Sequence, residues 1–127
     1  MTLDLPPSIL VTDDDPASRE IFREIFDVVG FRTFLAESGE EAIDIIKGHE
    51  VHVALMDMHL PKLSGLETMR IVREIRGVLP MILISADQDE NLMRRALTEQ
   101  AFSVLAKPVS RNLVIYIVQR ALEKFYR

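Results

Sequence analysis

Three aspartates in a row, Asp13, Asp14 and Asp15, stand far along the chain from a fourth, Asp57, and from Ser85 and Lys107, the last followed by Pro108. Clustered carboxylates repel one another and are best tolerated around a hard dication. Asp14 and Asp57, helped by Asp13 and water, suit Mg²⁺, which takes oxygen ligands and often only one or two carboxylates. Zinc fits poorly, since the chain has no cysteine and His49, His52 and His59 lack the spacing of a zinc helix. Lys107 is a compact cation suited to a phosphoryl group or to Asp57 itself, and the Ser85 hydroxyl can hydrogen-bond the same oxygens. With charge neutralised in this way, one carboxylate can act as a nucleophile toward phosphorus and form an aspartyl phosphate. Singly, each residue has a plainer explanation as a helix cap or a turn. Together they require a fold that brings positions 13 and 107 to one place.

The elements needed for this are legible. Ser8 to Thr12 reads as a buried strand, Asp15 as an N-cap with Pro16 in the first helical turn, and Ile21, Phe22, Ile25, Phe26 and Val29 as the inward stripe of a helix stopped by Gly30. The pattern repeats. A strand at Phe31 to Leu35 precedes a capping box of Ser38 and Glu41 and a helix with Ala42, Ile45 and Ile46 inward, ending at Gly48. A strand at Val51 to Met56 precedes a second box, Ser64 with Glu67, and a helix through Leu66, Met69, Ile71, Val72 and Ile75 to Gly77. Met81 to Ile84 is the fourth strand, and Asp89 to Glu99 a helix with Leu92, Met93, Ala96 and Leu97 inward. Phe102 to Ala106 is the fifth, and Ser110 opens a last helix through Val114, Ile117, Val118, Ala121 and Phe125, with Tyr116 nearly opposite that stripe.

Strict alternation implies a doubly wound, flavodoxin-like (βα)5 fold. Its five parallel strands run in the order 2-1-3-4-5, with helices on both faces. In such a sheet, ligands bind beyond the carboxyl ends of the strands, between the first and third. The acids, the serine and the lysine all follow a strand.

Composition narrows the function classes. With 127 residues, 48% hydrophobic and 28% charged, the chain suits one domain with its own core, over 1–127, and lies outside the disordered regime. Apolar runs reach only about six residues, too short to span a bilayer. The start, Met1 to Ser8, lacks the basic and apolar parts of a secretory signal, so the expected setting is reducing and cytoplasmic. The formal charge is −5, with 13 acids and 4 bases before residue 61 and 2 acids and 7 bases from residue 94 onward. That balance speaks against direct nucleic-acid binding, which calls for a net basic footprint.

The segments ILVTDDDP (Ile9 to Pro16), LMDMHLPKLSGLE (Leu55 to Glu67), ILISA (Ile82 to Ala86) and LAKP (Leu105 to Pro108) resemble the receiver domain of two-component response regulators, in order and spacing, over essentially the whole chain. The resemblance implies that Asp57 is the phosphoacceptor and that Asp13 and Asp14 form the acidic pair around Mg²⁺, with the His59 carbonyl as a further ligand. It implies that Ser85 is the switch hydroxyl and Lys107 the phosphate-sensing lysine, with main-chain N–H groups of Met58, His59 and Ala86 on the phosphoryl oxygens. Pro61 and Gly65 match the loop after the acceptor, where they are expected to fix the turn. His59 and Asp87 match positions that influence how long the phosphoryl group persists. Two positions depart from the family: Val104 stands where Tyr or Phe is usual, and Gln100 where Gly is usual.

The implied protein is no enzyme in its own right, taking part only in its own phosphorylation and autodephosphorylation. Its donor would be a histidine kinase or a histidine phosphotransfer protein. Its signal would leave through the face of the fourth helix, fifth strand and fifth helix, toward an effector, an output domain or a second copy, with Tyr116, Arg94, Arg95, Arg111 and Arg120 nearby. A flavin carrier of the same topology is disfavoured because three aspartates would repel its phosphate. An aspartyl-nucleophile phosphatase of the haloacid-dehalogenase type wants a second Asp where His59 stands. A scaffold that is never phosphorylated has no use for the intact acidic set.

Overall fold

In a computed structural model that describes residues 6–86 and 90–126, the elements alternate as β1 (Ser8–Thr12), α1 (Pro16–Val29), β2 (Arg32–Ala36), α2 (Gly39–Gly48), β3 (Val53–Asp57), α3 (Gly65–Ile75), β4 (Met81–Ser85), α4 (Glu90–Thr98), β5 (Ser103–Ala106) and α5 (Arg111–Phe125). The strands form one parallel sheet in the order β2-β1-β3-β4-β5. The three inner strands, β1, β3 and β4, are buried along their whole length, as expected when both faces of a parallel sheet are covered. Ile9, Val11, Leu55 and Ile84 pack with Phe22, Phe26, Val114 and Val118 under α1 and α5. Leu10, Ala54, Met56 and Leu83 pack with Ile46, Met69, Leu92 and Ala96 under α2, α3 and α4. Among the described residues, no helix is long and apolar enough to cross a membrane.

Several boundaries move for identifiable reasons. β2 starts at Arg32, because Phe31 belongs to the end of α1: its N–H bonds to the Phe26 carbonyl and that of Gly30 (φ +93°) to Asp27, closing the helix in a Schellman motif. β3 starts at Val53 and includes Asp57, so the acidic residue ends a strand rather than following one. Ser38 caps α2 by accepting from Glu41 N–H, but the Glu41 carboxylate turns to the N–H of Glu37, one residue earlier than a capping box requires. The box at Ser64 and Glu67 is complete in both directions. Asp87 and Asp89 lie outside the described residues.

The inward stripes are narrower than the periodicity suggests. Ile21 and Leu97 are 57% and 71% exposed, and Met93 and Phe125 also face solvent. Phe22 and Phe26 on α1, and Leu92 and Ala96 on α4, already define the buried lines, and a residue one position away is turned by about 100°. Tyr116 is exposed, as its position opposite the stripe requires.

α4 closes with the same motif as α1, the N–H of Gln100 on the Leu97 carbonyl and that of Ala101 on Ala96, but its left-handed residue is Gln100, at φ +62°. The Cβ of a non-glycine residue makes that conformation costly. Gln100→Gly is therefore expected to raise unfolding free energy by about 0.5–1 kcal/mol, read as a higher urea midpoint with unchanged slope.

Candidate functional site

The carboxyl edge of the sheet is built one residue past several strands. Asp13 N–H continues the ladder to the Ala36 carbonyl, Met58 N–H to Ile84 and Lys107 N–H to Ser85, so these positions are held by backbone as firmly as the strands themselves. Asp57 ends β3 and Ser85 ends β4; both are buried. In the parallel register Asp57 lies beside Ile84, one residue before Ser85, and Ser85 lies beside Ala106, one residue before Lys107.

The side chains converge. Lys107 Nζ lies 2.6 Å from Asp57 Oδ2 and 3.8 Å from Asp13 Oδ2. His59 N–H donates to Asp57 Oδ1 at 2.9 Å, so each oxygen of the Asp57 carboxylate has a donor. Asp13 accepts the Asp15 N–H on Oδ1 at 2.9 Å, while Asp15 accepts from Ala17 N–H and caps α1. One carboxylate oxygen from each of Asp13, Asp14 and Asp57 lies within 4.8 Å of the other two, with Asp13 and Asp57 buried and Asp14 exposed. Three carboxylates against one ammonium leave an electronegative, all-oxygen cluster, which matches the ligand preference of Mg²⁺. Partial burial pulls the Lys107 ammonium toward neutrality. The hydrogen bond to Asp57, with the charges of Asp57, Asp13 and Asp14, outweighs this and holds its pKa above the ordinary lysine value.

The Met58 N–H, expected on the phosphoryl oxygens, donates to the Ile84 carbonyl at 2.8 Å. In the loop after Asp57 the left-handed residue is Lys62 (φ +65°). Gly65 has another role: a Cβ there would fall 2.4 Å from the Asp57 carbonyl oxygen and 2.9 Å from Met58 Cα. Only glycine lets α3 start against the backbone of the acidic strand end, and Gly65 N–H bonds the Met58 carbonyl at 2.9 Å.

Arg19, a residue that sequence reasoning passed over, donates from Nη1 to the Asp13 carbonyl at 2.7 Å and lies 3.8 Å from Glu37. Only its place in the second turn of the helix capped by Asp15 hints at this contact. Two grooves flank the cluster. One, of about 470 Å³, is lined by Asp14, Glu37, Glu40 and Lys62. The other, of about 490 Å³, runs from Lys107, Pro108 and Val109 to Ile21, Phe22 and Ile25 of α1 and is largely apolar.

Comparison with known proteins places these features in a family. The model of the response regulator receiver domain matches residues 9–119. The polar-differentiation response regulator DivK of Brucella anthropi is 30% identical over 112 residues, covering 84% of this chain and 88% of DivK. The response regulator MprA of a Mycobacterium species is 34% identical over 104 residues, covering 82% of this chain. The chain spans somewhat less than half of that longer relative, 45% of its length. The solved receiver domain of a Francisella response regulator superposes with a TM-score of 0.88 at 27% identity, over 93% of this chain and 98% of that one.

Proposed function

Starting from the fact that the chain belongs to the response regulator receiver domain family, we propose that it accepts one phosphoryl group on Asp57 and passes the change to the face formed by α4, β5 and α5. The observation that supports this most directly is the contact of Lys107 with Asp57 inside a cluster of three carboxylates. An Asp57 oxygen attacks phosphorus of a phosphohistidine, the P–N bond breaks and the leaving imidazole takes a proton. Asp13, Asp14 and Asp57, with the His59 carbonyl, would hold Mg²⁺, which when bound would supply neutralisation of the phosphoryl charge. Lys107 takes one phosphoryl oxygen, Ser85 hydroxyl another, and the N–H groups of His59 and Ala86 complete the cradle. Met58 N–H, now on the Ile84 carbonyl, would join this set on giving up that bond.

The acyl phosphate adds about −1.5 to −2 charge beside Lys107 and Ser85. Inverting a 1:99 population needs about 5.5 kcal/mol of differential interaction, and drawing these two groups inward is the source the site offers. Val104 is half-buried under α4, so no aromatic side chain reports the change from that position. Receiver domains are signalling domains, and this chain acts as one domain, over 1–127, in the cytoplasm. It hands its signal to an effector, an output domain or a second copy meeting it through α4, β5 and α5, without itself binding nucleic acid or membrane.

The donor is a histidine kinase or a histidine phosphotransfer protein, seated in the apolar groove beside Lys107. Exposed Ile21 on its wall supports that placement. Ile21→Arg is expected to slow labelling by a phosphohistidine protein by about tenfold or more, the effect of losing one apolar contact worth about 1.4 kcal/mol. Labelling by a small phosphodonor should stay unchanged, and equal slowing of both would remove the groove from the donor's path. The whole reading is tested by incubating the chain with a small phosphodonor and Mg²⁺. One hydroxylamine-labile phosphoryl group retained per chain supports it; phosphate release with no label retained on the chain would make the protein a phosphatase, and neither label nor release would make it a scaffold.

A further inference from the structure

α4 has few attachments. It is nine residues long, too short to persist alone, and sends only Leu92 and Ala96 into the core. Its C-terminal end is nevertheless fastened to α3 by two arginines one turn apart. Arg70 forks the Glu99 carboxylate from Nε at 3.2 Å and Nη2 at 2.8 Å. Arg73 donates from Nη1 to the carbonyls of Gly77 (2.8 Å) and Leu79 (3.3 Å), and from Nη2 to those of Glu99 (3.4 Å) and Gln100 (2.9 Å). One guanidinium thus joins the end of α3, the approach to β4 and the cap of α4. It grips that cap at its left-handed glutamine, the residue whose own conformation holds it least firmly.

The opposite end of α4 begins at Glu90, four positions after Ala86 and five after Ser85 in the switch region. We propose that α4 responds to phosphorylation by pivoting about its C-terminal end, and that Arg73, with Arg70 in support, is the positioning residue that makes this end the pivot. The proposal rests on the phosphoacceptor reading of Asp57. A fastened end and a lightly packed body form a two-state element biased from one side only. The displacement then grows along α4 toward Glu90, which gives the α4–β5–α5 face a graded change without an aromatic at position 104.

Amide exchange followed by NMR tests this on the whole chain, with and without a small phosphodonor and Mg²⁺, while intact mass reports phosphoryl incorporation. In the unaltered chain, phosphorylation is expected to change exchange at Arg94 and Arg95 by about tenfold and at Glu99, Gln100 and Ala101 by less than about twofold, as for opening confined to part of a helix. Arg73→Gln should speed exchange at 99–101 by about tenfold before phosphorylation and let the change spread over all of α4, with phosphoryl incorporation unaltered. Should that variant fail to fold, Arg70→Gln, which removes only the exposed fork, should give the same pattern more weakly. Equal responses at 94–95 and 99–101 in the phosphorylated chain, or unchanged exchange at 99–101 in the folded variant, overturn the pivot alone. Absence of the phosphoryl mass from the unaltered chain overturns the phosphoacceptor reading, and the pivot with it.

Discussion

Asp57→Asn is expected to lose phosphoryl labelling entirely, at any concentration of small phosphodonor and with Mg²⁺ in excess. The amide has nearly the shape of the carboxylate, but it carries no charge and its nitrogen offers no nucleophilic lone pair at neutral pH. No neighbour can take over the reaction. Asp13 is buried and its Oδ1 is engaged by the Asp15 N–H. Asp14 is the exposed member, and Lys107 lies within bonding distance of Asp57 rather than of Asp14. The fold should survive the exchange, with a modest local cost. Asn has one acceptor oxygen where Asp57 uses two, so either the His59 N–H or the Lys107 ammonium meets an NH₂ group instead. Leaving one such donor unsatisfied costs about 1–3 kcal/mol, and removing one charge from a crowded cluster offsets part of that. Intact mass after incubation and a urea midpoint on the same sample separate the two effects. A folded variant that still carries the label would move the acceptor to another carboxylate.

The parts of this site that sequence made legible are those with a local signature. Alternation of apolar strands with capped helical stripes leaves few sheet orders, and the order adopted brings Asp13, Asp57, Ser85 and Lys107 to one edge. Pro16 after Asp15, and Ser64 with Glu67, mark helix starts because each cap is completed within three residues. Contacts that cross elements leave no such trace. Arg73 holds the carbonyl of Gln100, 27 positions away, and a backbone acceptor has no residue-type signature at all. The exposure of Ile21 and Leu97 escaped for a different reason. Apolar identity marks the helix, but a turn of about 100° decides whether a residue at the edge of the stripe is covered. Gly65 was legible as a residue that fixes the turn after Asp57, but the close backbone approach that calls for glycine there shows only in the position of Asp57 and Met58 behind it.

Asp13→Asn is expected to stabilise the chain without metal and to weaken its response to Mg²⁺, so that the order of stability reverses between the two conditions. At about 5 Å and an effective dielectric constant near 20, two carboxylates repel by about 3 kcal/mol, and at about 4 Å a carboxylate and an ammonium attract by about 4 kcal/mol. Asp13 has two such repulsions, from Asp14 and Asp57, and one such attraction, to Lys107 at 3.8 Å. The balance is about 2 kcal/mol against the charge, reduced to about 1 kcal/mol by the exposure of Asp14 to solvent screening. Asn is the informative replacement because it keeps an oxygen for the Asp15 N–H, a bond that Ala would lose along with the charge. In EDTA the variant should therefore have the higher urea midpoint. Mg²⁺ at 100 times its dissociation constant should add about 2.7 kcal/mol to the unaltered chain, and much less to a variant that has lost one of three carboxylates. A purely structural aspartate would shift both conditions in the same direction. A variant less stable in EDTA, or one that gains as much from Mg²⁺ as the unaltered chain, would mean that Asp13 serves the turn before α1 rather than the cation.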